Sequence, residues 1–235
     1  MSLDAAAPEV VHVVVPVHDE EQRLGRCLTA IEQAVIRLHQ ATGIGARITV
    51  VLDRCRDGSA AVAARHDVDT VISGAGCVGV AREAGVDRVA RLARGREHDR
   101  VWVAMTDADC LVGPGWLVRQ HVLASDGFAL VVGRVRPDPD EIDPALARSW
   151  DDRHRDGLHV HGANLGFTLA AHRLAGGFSA LDEHEDVVFV RSAIAAGCRW
   201  TNQGSRVRTS ARLRGRTNGG FAGYLRDLAA APEAG

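Results

Sequence analysis

The sequence lacks the features typical of nucleic-acid-binding and membrane proteins. Its 28 basic residues are all arginine and are outnumbered by 30 acidic ones, which leaves a formal net charge of −2. A dedicated nucleic-acid binder carries a basic excess, so this composition argues against that class. The longest apolar runs, VVHVVVPV and FALVVG, are far shorter than the roughly 20 residues of a membrane helix. We therefore expect no nucleic-acid partner and no integral membrane segment.

Cysteine is scarce and scattered, and a secretory signal is missing. The five cysteines form no CxxC pair and no zinc-like spacing, a pattern that suits free thiols in a reducing cytosol. Residues 1–9 lack the charged and apolar regions of a signal peptide and are interpreted as a flexible leader. We predict a cytoplasmic protein with residues 10–235 as a single domain.

Two common nucleotide-binding motifs are also missing. The chain has no GxxxxGK[ST] sequence and no GxGxxG after its first apolar run. Nucleotide binding of the P-loop or dinucleotide kind is therefore disfavoured.

Short apolar runs alternate with segments of helical periodicity through the first half of the chain. Strands are predicted at 10–17, 46–53, 68–73 and 100–107, and helices at 20–40, 58–66 and 79–95. This order predicts an α/β fold with a mostly parallel central sheet and helices on both faces. The alternation loosens after Pro114. We therefore divide the domain into a first half (10–112) and a less regular second half (113–235) that shapes another pocket.

Polar clusters follow the predicted strands: HDEE after the first, DRCRDGS after the second and TDADC after the fourth. In such sheets ligands bind beyond the carboxyl ends of the strands. On an extended strand Asp107 and Asp109 would point the same way, and two adjacent like charges repel unless a cation lies between them. The functional interpretation is Mg²⁺ or Mn²⁺ bound beside a phosphorylated ligand. The alternative is an ordinary polar turn after a strand.

Six motifs occur in an order and at a rough spacing that resemble the family-2 inverting glycosyltransferases: VVVPVHDE, VVLDRCRDGS, VGVAREAG, TDADC, HGANLGF and HEDVVFVRSAIAAG. The resemblance covers about residues 10 to 200. It implies the A-type glycosyltransferase fold, a nucleoside-diphosphate-sugar donor, a hydroxyl acceptor and a divalent metal. The first half would bind the nucleotide-sugar and the second half the acceptor.

The resemblance also implies roles for individual residues. Asp53 would hydrogen-bond the nucleotide base, Arg82 would reach towards phosphate or ribose, and Asp109 would be the direct metal ligand beside Asp107. Asp186 would be the catalytic base; motif match alone selects it over Glu185, and acids are favourable at a helix N-terminus in any case. The donor-side residues are Pro16, His18, Glu20, Asp53, Arg82 and Asp107, and the acceptor-side residues are Gly162, Ala163, Asn164 and Glu185.

The chain departs from the family's pattern at several positions. His18 and Glu83 stand where the family usually has asparagine, and DRCRDGS replaces the commoner acidic-Ser pattern. These changes leave the choice of nucleotide base open. Neither the QxxRW motif nor the membrane spans of processive members are present, so a soluble enzyme that transfers one sugar is expected.

The second half contains an arginine-rich segment, RVRTSARLRGRTNGGF, with arginines at 206, 208, 212, 214 and 216. Such a run is usually a solvated surface, but a guanidinium fork also suits a diphosphate, and Arg212 is the candidate. His159 and His161 would share one strand face and could be metal ligands, but no third ligand lies at a suitable spacing, so packing or acceptor contact is favoured. Trp150 is assigned to the core or to an acceptor pocket. FAGYLRDL, at 221–228, is expected to form a terminal helix that only packs.

Two other functions remain open from the sequence. A nucleotidyltransferase would need a glycine-rich, basic loop after the first strand, where this chain has the acidic VHDEEQRLG. A non-catalytic nucleotide-sugar-binding protein would carry the same motifs, and only an activity measurement separates it from the enzyme.

Overall fold

The computed structural model describes residues 6–155, 157–213 and 221–230. Its strands are β1 (Val10–Val17), β2 (Ala46–Asp53), β3 (Asp69–Ser73), β4 (Val101–Met105), β5 (Cys110–Leu111), β6 (Leu130–Val132), β7 (Val135–Pro137), β8 (Leu165–Thr168), β9 (Trp200–Thr201) and β10 (Val207–Thr209). Its α-helices are α1 (Leu24–Thr42), α2 (Ser59–Ala63), α3 (Val78–Leu92), α4 (Trp116–Ser125), α5 (Pro144–Arg153), α6 (Leu169–Ala175), α7 (Glu185–Ala195) and α8 (Phe221–Ala230).

A seven-stranded sheet in the order β3-β2-β1-β4-β8-β6-β9 forms the centre of the molecule. Strands β3, β2, β1 and β4 are parallel, whereas β8 runs antiparallel to both β4 and β6. Strands β5, β10 and β7 form a second, smaller sheet. The predicted mostly parallel α/β architecture is confirmed.

The helices cover both faces of the central sheet because its inner strands are apolar on both sides. In β1, Val13 and Val15 pack in one hydrophobic cluster with α1 and α4, and Val14 packs in the other with α3, α6 and α7. Buried parallel strands read as continuous apolar runs for this reason. Among the described residues no helix is long and apolar enough to cross a membrane.

Two local expectations change in the structure. Strand β4 ends at Met105, so Asp107 and Asp109 lie in the turn that leads to β5 and not on one face of an extended strand. Residues 1–5 of the expected leader lie outside the described residues, but Pro8 is buried and Glu9 forms an ion pair with Arg100 at 2.9 Å. Residues 8 and 9 therefore pack on the domain.

Candidate active site

A cleft of about 1250 Å³ opens beyond the carboxyl ends of β1, β2 and β4. All but two of the predicted site residues line it: Pro16, His18, Asp53, Arg82, Asp107, Asp109, Gly162, Ala163, Glu185, Asp186 and Arg212. Segments far apart in the sequence meet here because parallel strands bring their carboxyl ends to the same edge of the sheet.

Glu20 and Asn164, which were expected to contact the donor and the acceptor, do not line the cleft. Glu20 is 4% exposed, and its carboxylate accepts N–H groups of Arg212 at 2.9 and 2.5 Å. Asn164 is 1% exposed; its side chain accepts from Trp116 Nε1 and donates to the carbonyls of Arg134 and Ser205. Both side chains therefore hold neighbouring segments in place.

The two aspartates of the β4–β5 turn face different cations. Asp107 Oδ1 lies 2.6 Å from Arg82 Nη2, and Asp109 Oδ2 lies 3.1 Å from Arg212 Nη2. Each carboxylate thus has its own guanidinium, which offsets the repulsion between neighbouring like charges. The turn also keeps both acids at the cleft wall, with side-chain exposures of 34% for Asp107 and 15% for Asp109.

Arg82 is the buried link between this turn and the start of α7. Its other terminal nitrogen, Nη1, donates to Glu185 Oε1 at 2.6 Å. Burial lowers the pKa of Arg82, but the carboxylates of Asp107 and Glu185 outweigh it and raise the pKa above its ordinary value, so the side chain stays charged. The guanidinium passes so close to Gly162 that a Cβ there would lie 1.7 Å from Nη1. Glycine at this position leaves the space that Arg82 fills.

The first turn of α7 holds Glu185 and Asp186, which only the motif match separates in the sequence. Burial raises the pKa of Glu185, against the opposing effect of Arg82. Asp186 is half-buried and accepts the backbone N–H of Gly162 at 2.5 Å and that of Val187 at 2.7 Å. Glu185 therefore forms an ion pair with Arg82, whereas backbone amides orient Asp186 at the cleft wall.

The opposite wall is built around Asp53 at the end of β2. Asp53 is 3% exposed, and its Oδ1 accepts the Ser73 hydroxyl at 2.8 Å and the Gly76 N–H at 2.9 Å. The ring of His18 is bonded through Nδ1 to the Asp53 carbonyl at 2.7 Å. These contacts fix the loops that follow β1, β2 and β3 relative to one another.

Sequence reasoning missed the part that α8 plays in an aromatic wall of the cleft. Phe221 and Tyr224 of α8 line the cleft, so the expectation that this helix only packs is wrong. Trp150 stacks on His154 with ring centroids 3.7 Å apart and contacts Phe221 at 4.7 Å. The apolar spacing in FAGYLRDL signalled a packed face, but nothing in it indicated that the face borders a cleft. His159 and His161 lie in irregular chain and not on a strand.

The arginine-rich segment separates into distinct environments. Arg206 and Arg208 are exposed, whereas Arg212 lines the cleft; Arg214 and Arg216 lie outside the described residues. Burial lowers the pKa of Arg212, but its bonds to Glu20 and the nearby Asp109 outweigh burial and raise it. Arg212 is thus a fixed cation at the cleft.

Solved structures of low sequence identity share the fold. Staphylococcus aureus TarS superposes with a TM-score of 0.63 at 12% identity over 86% of this chain and 36% of that chain. Glucosyl-3-phosphoglycerate synthase from Mycobacterium tuberculosis, solved with Mg²⁺ and uridine diphosphate, gives 0.59 at 13% over 97% of this chain and 82% of that chain. The present chain thus spans only about a third of TarS. The predicted A-type glycosyltransferase fold is confirmed.

Sequence comparison gives the family. No curated protein sequence matches the chain significantly. The model of glycosyl transferase family 2 matches residues 12–182, which is most of the chain and includes β2, β3, β4, most of β1 and the β4–β5 turn. The resemblance to this family is confirmed, and the chain belongs to glycosyl transferase family 2.

Proposed function

We propose that this glycosyltransferase moves a sugar from a nucleoside-diphosphate-sugar to a hydroxyl acceptor, with inversion at the anomeric carbon and with Mg²⁺ or Mn²⁺ as cofactor. The observation that carries the proposal is that Asp53, Asp109 and Asp186 line one continuous cleft. The complexes of the M. tuberculosis synthase with uridine diphosphate and Mg²⁺ or Mn²⁺ support this choice of donor and metal.

Asp186 is the residue that we assign as base. Its carboxylate faces the cleft and is oriented by the Gly162 N–H. It accepts the acceptor's hydroxyl proton while that oxygen bonds to the anomeric carbon and the carbon–oxygen bond to the diphosphate breaks. The bonding electrons leave with the diphosphate, and a single displacement inverts the centre. Glu185, bound to Arg82 at 2.6 Å and 4% exposed, positions that arginine.

The acids of the β4–β5 turn fit a hard divalent metal. Carboxylate oxygens are the ligands that Mg²⁺ prefers, and both Asp107 and Asp109 present them at the cleft wall. Asp109 would hold the ion and Asp107 would assist. When bound, such an ion neutralises charge on a departing diphosphate. Arg212, 3.1 Å from Asp109, supplies a second cation to the same group.

The test compares Asp186→Asn with wild type in the presence of Mn²⁺ and a panel of UDP-, GDP- and dTDP-sugars, measuring nucleoside-diphosphate release and binding. The variant should bind donor normally and lose on the order of 10²- to 10⁴-fold in turnover. Asp227→Asn, which removes an exposed acid of α8 away from the cleft, is the matched control and should behave as wild type.

Three other outcomes of this experiment would contradict part of the proposal. Undiminished turnover in Asp186→Asn contradicts its assignment as base. Donor binding without turnover by the wild type, across many hydroxyl acceptors, would favour a non-catalytic nucleotide-sugar-binding protein. Transfer of a nucleotidyl group with release of pyrophosphate would indicate a nucleotidyltransferase.

A further inference from the structure

A smaller cavity lies beside the cleft, and we call it the side pocket. It has a volume of about 30 Å³. Its wall combines Arg134, Arg136 and Arg206 with His154, His159 and His161, and the histidines also line the cleft. The two spaces are therefore neighbours with a common wall.

The charge around the side pocket is only partly compensated. Arg136 pairs with Asp151 at 2.9 Å, but within residues 6–155, 157–213 and 221–230 Arg134 and Arg206 form no ion pair. The backbone of Arg134 is anchored, because its carbonyl accepts the Asn164 side chain at 2.8 Å and the Val207 N–H at 3.0 Å. Arg206 directly precedes Val207, so both arginines are held at the ends of paired strands.

Two buried polar atoms at the side pocket have no partner in the described part of the chain: His161 Nε2 and Arg136 Nε. Buried polar atoms in folded proteins are nearly always hydrogen-bonded, and an exception calls for a ligand or water. Burial lowers the pKa of His161 to about 4, so its ring is neutral and adds hydrogen-bonding capacity without charge.

The size of the side pocket limits what enters it. A volume of about 30 Å³ exceeds the roughly 10–15 Å³ that one water needs, which admits a group of a few heavy atoms but no sugar ring. His161 directly precedes Gly162, whose N–H holds the Asp186 carboxylate at 2.5 Å. A group in the side pocket therefore lies on the acceptor side, next to the assigned base.

We propose that the side pocket binds the phosphate or carboxylate of the acceptor, which is accordingly a small hydroxyl compound with an anionic group. The guanidinium fork matches the oxygens of either group. This inference rests on the proposed function, since it names the acceptor class of the same site. Arg134 and Arg206 supply the charge, and the three histidines line the wall between the side pocket and the cleft, where the rest of the acceptor would lie.

Calorimetric titration with glycerol, glycerate, glycerol 3-phosphate and inorganic phosphate tests the proposal. The anionic compounds should bind to wild type and glycerol should not; preference between glycerate and glycerol 3-phosphate tells which anion the pocket serves. Arg206→Gln and Arg134→Gln should each weaken that binding on the order of tenfold or more. Arg208→Gln, an exposed arginine outside the pocket, is the matched control and should change nothing.

Equal binding of glycerol, an equal loss in Arg208→Gln, or no anion binding at millimolar concentration would overturn the proposal. Because Arg206 is exposed, its variant folds, and a thermal melt checks this. Titrating uridine diphosphate with Mn²⁺ into the same samples separates the two claims. Intact nucleotide binding without anion binding removes only the acceptor class, whereas anion binding without nucleotide binding contradicts the proposed function.

Discussion

Replacing Gly162 by alanine should break the buried link between the β4–β5 turn and α7. The added Cβ would lie 1.7 Å from Arg82 Nη1 and 2.2 Å from its Cζ, where ordinary contacts begin at 3.4 Å. Arg82 is 3% exposed, so the guanidinium must shift within a packed interior. Its 2.6 Å bonds to Asp107 and Glu185 do not survive a displacement of that size.

The expected loss of unfolding free energy follows from the carboxylates that Arg82 no longer contacts. Breaking a buried ion pair costs about 3–5 kcal/mol because one charge is left unpaired, and Glu185 is 4% exposed. Asp107, with its side chain 34% exposed, regains water and adds little. We expect Gly162→Ala to lose about 3 kcal/mol of unfolding free energy, which lowers the melting temperature of a domain this size by about 6–12 °C.

Urea denaturation followed by circular dichroism measures this loss. Gly113→Ala is the matched control, since a Cβ there meets nothing within 4 Å and should leave stability unchanged or slightly higher. A Gly162→Ala protein within about 0.5 kcal/mol of wild type would show that Arg82 is not confined as described and would refute the reasoning.

Three further predictions concern other contacts. Burial lowers the pKa of His12 to about 4 from 6.5, so between these pH values the unfolded chain binds a proton that the folded chain does not. The unfolding free energy therefore falls by up to about 3 kcal/mol as the pH drops from 6.5 to 4. Unfolding curves of His12→Asn should show a smaller loss of unfolding free energy over this pH range. Burial raises the pKa of Glu83, but its bonds to His172 and the Phe178 N–H outweigh this and lower it below 4.5. The ionised Glu83 therefore stabilises the fold above pH 4.5, and this contribution is lost as the pH falls further. The unfolding free energy of Glu83→Gln should accordingly depend less on pH in an acid titration. Arg212→Gln should weaken nucleoside-diphosphate binding about tenfold in calorimetry, because it removes a cation fixed at the cleft; unchanged affinity would place the diphosphate elsewhere.

The first half of the fold was predictable because its strands are long and apolar. Strands β1 and β2 begin and end at the predicted residues, since valine-rich runs buried on both faces are unambiguous. The helix predicted from residue 20 begins at Leu24 instead, because residues 21–23 form a turn before it.

The second half escaped prediction for a physical reason. Strands β6, β9 and β10 have only two or three residues each, too few to show any periodicity. The antiparallel insertion of β8 between β4 and β6 depends on pairing across the sheet, which no local pattern records.

The part of the candidate site that consists of motif residues was predictable from the sequence. The six motifs placed most of the cleft's wall, but they did not show that Arg212 binds Glu20 across 192 positions or that α8 supplies aromatic side chains. Long-range pairing of charges leaves no signal in a single sequence. Our proposal of Asp186 over Glu185 as base likewise rests on the contact between Arg82 and Glu185, which the sequence does not show.

The most direct test of the account is the affinity for uridine diphosphate with and without Mn²⁺, measured by calorimetry for wild type and Asp109→Asn. Asp140→Asn, which removes an acid with an 83% exposed side chain, is the control. Mn²⁺ should strengthen binding to wild type and control but leave Asp109→Asn unaffected. The same Mn²⁺ enhancement in Asp109→Asn would contradict the assignment of the metal and the donor diphosphate to this turn.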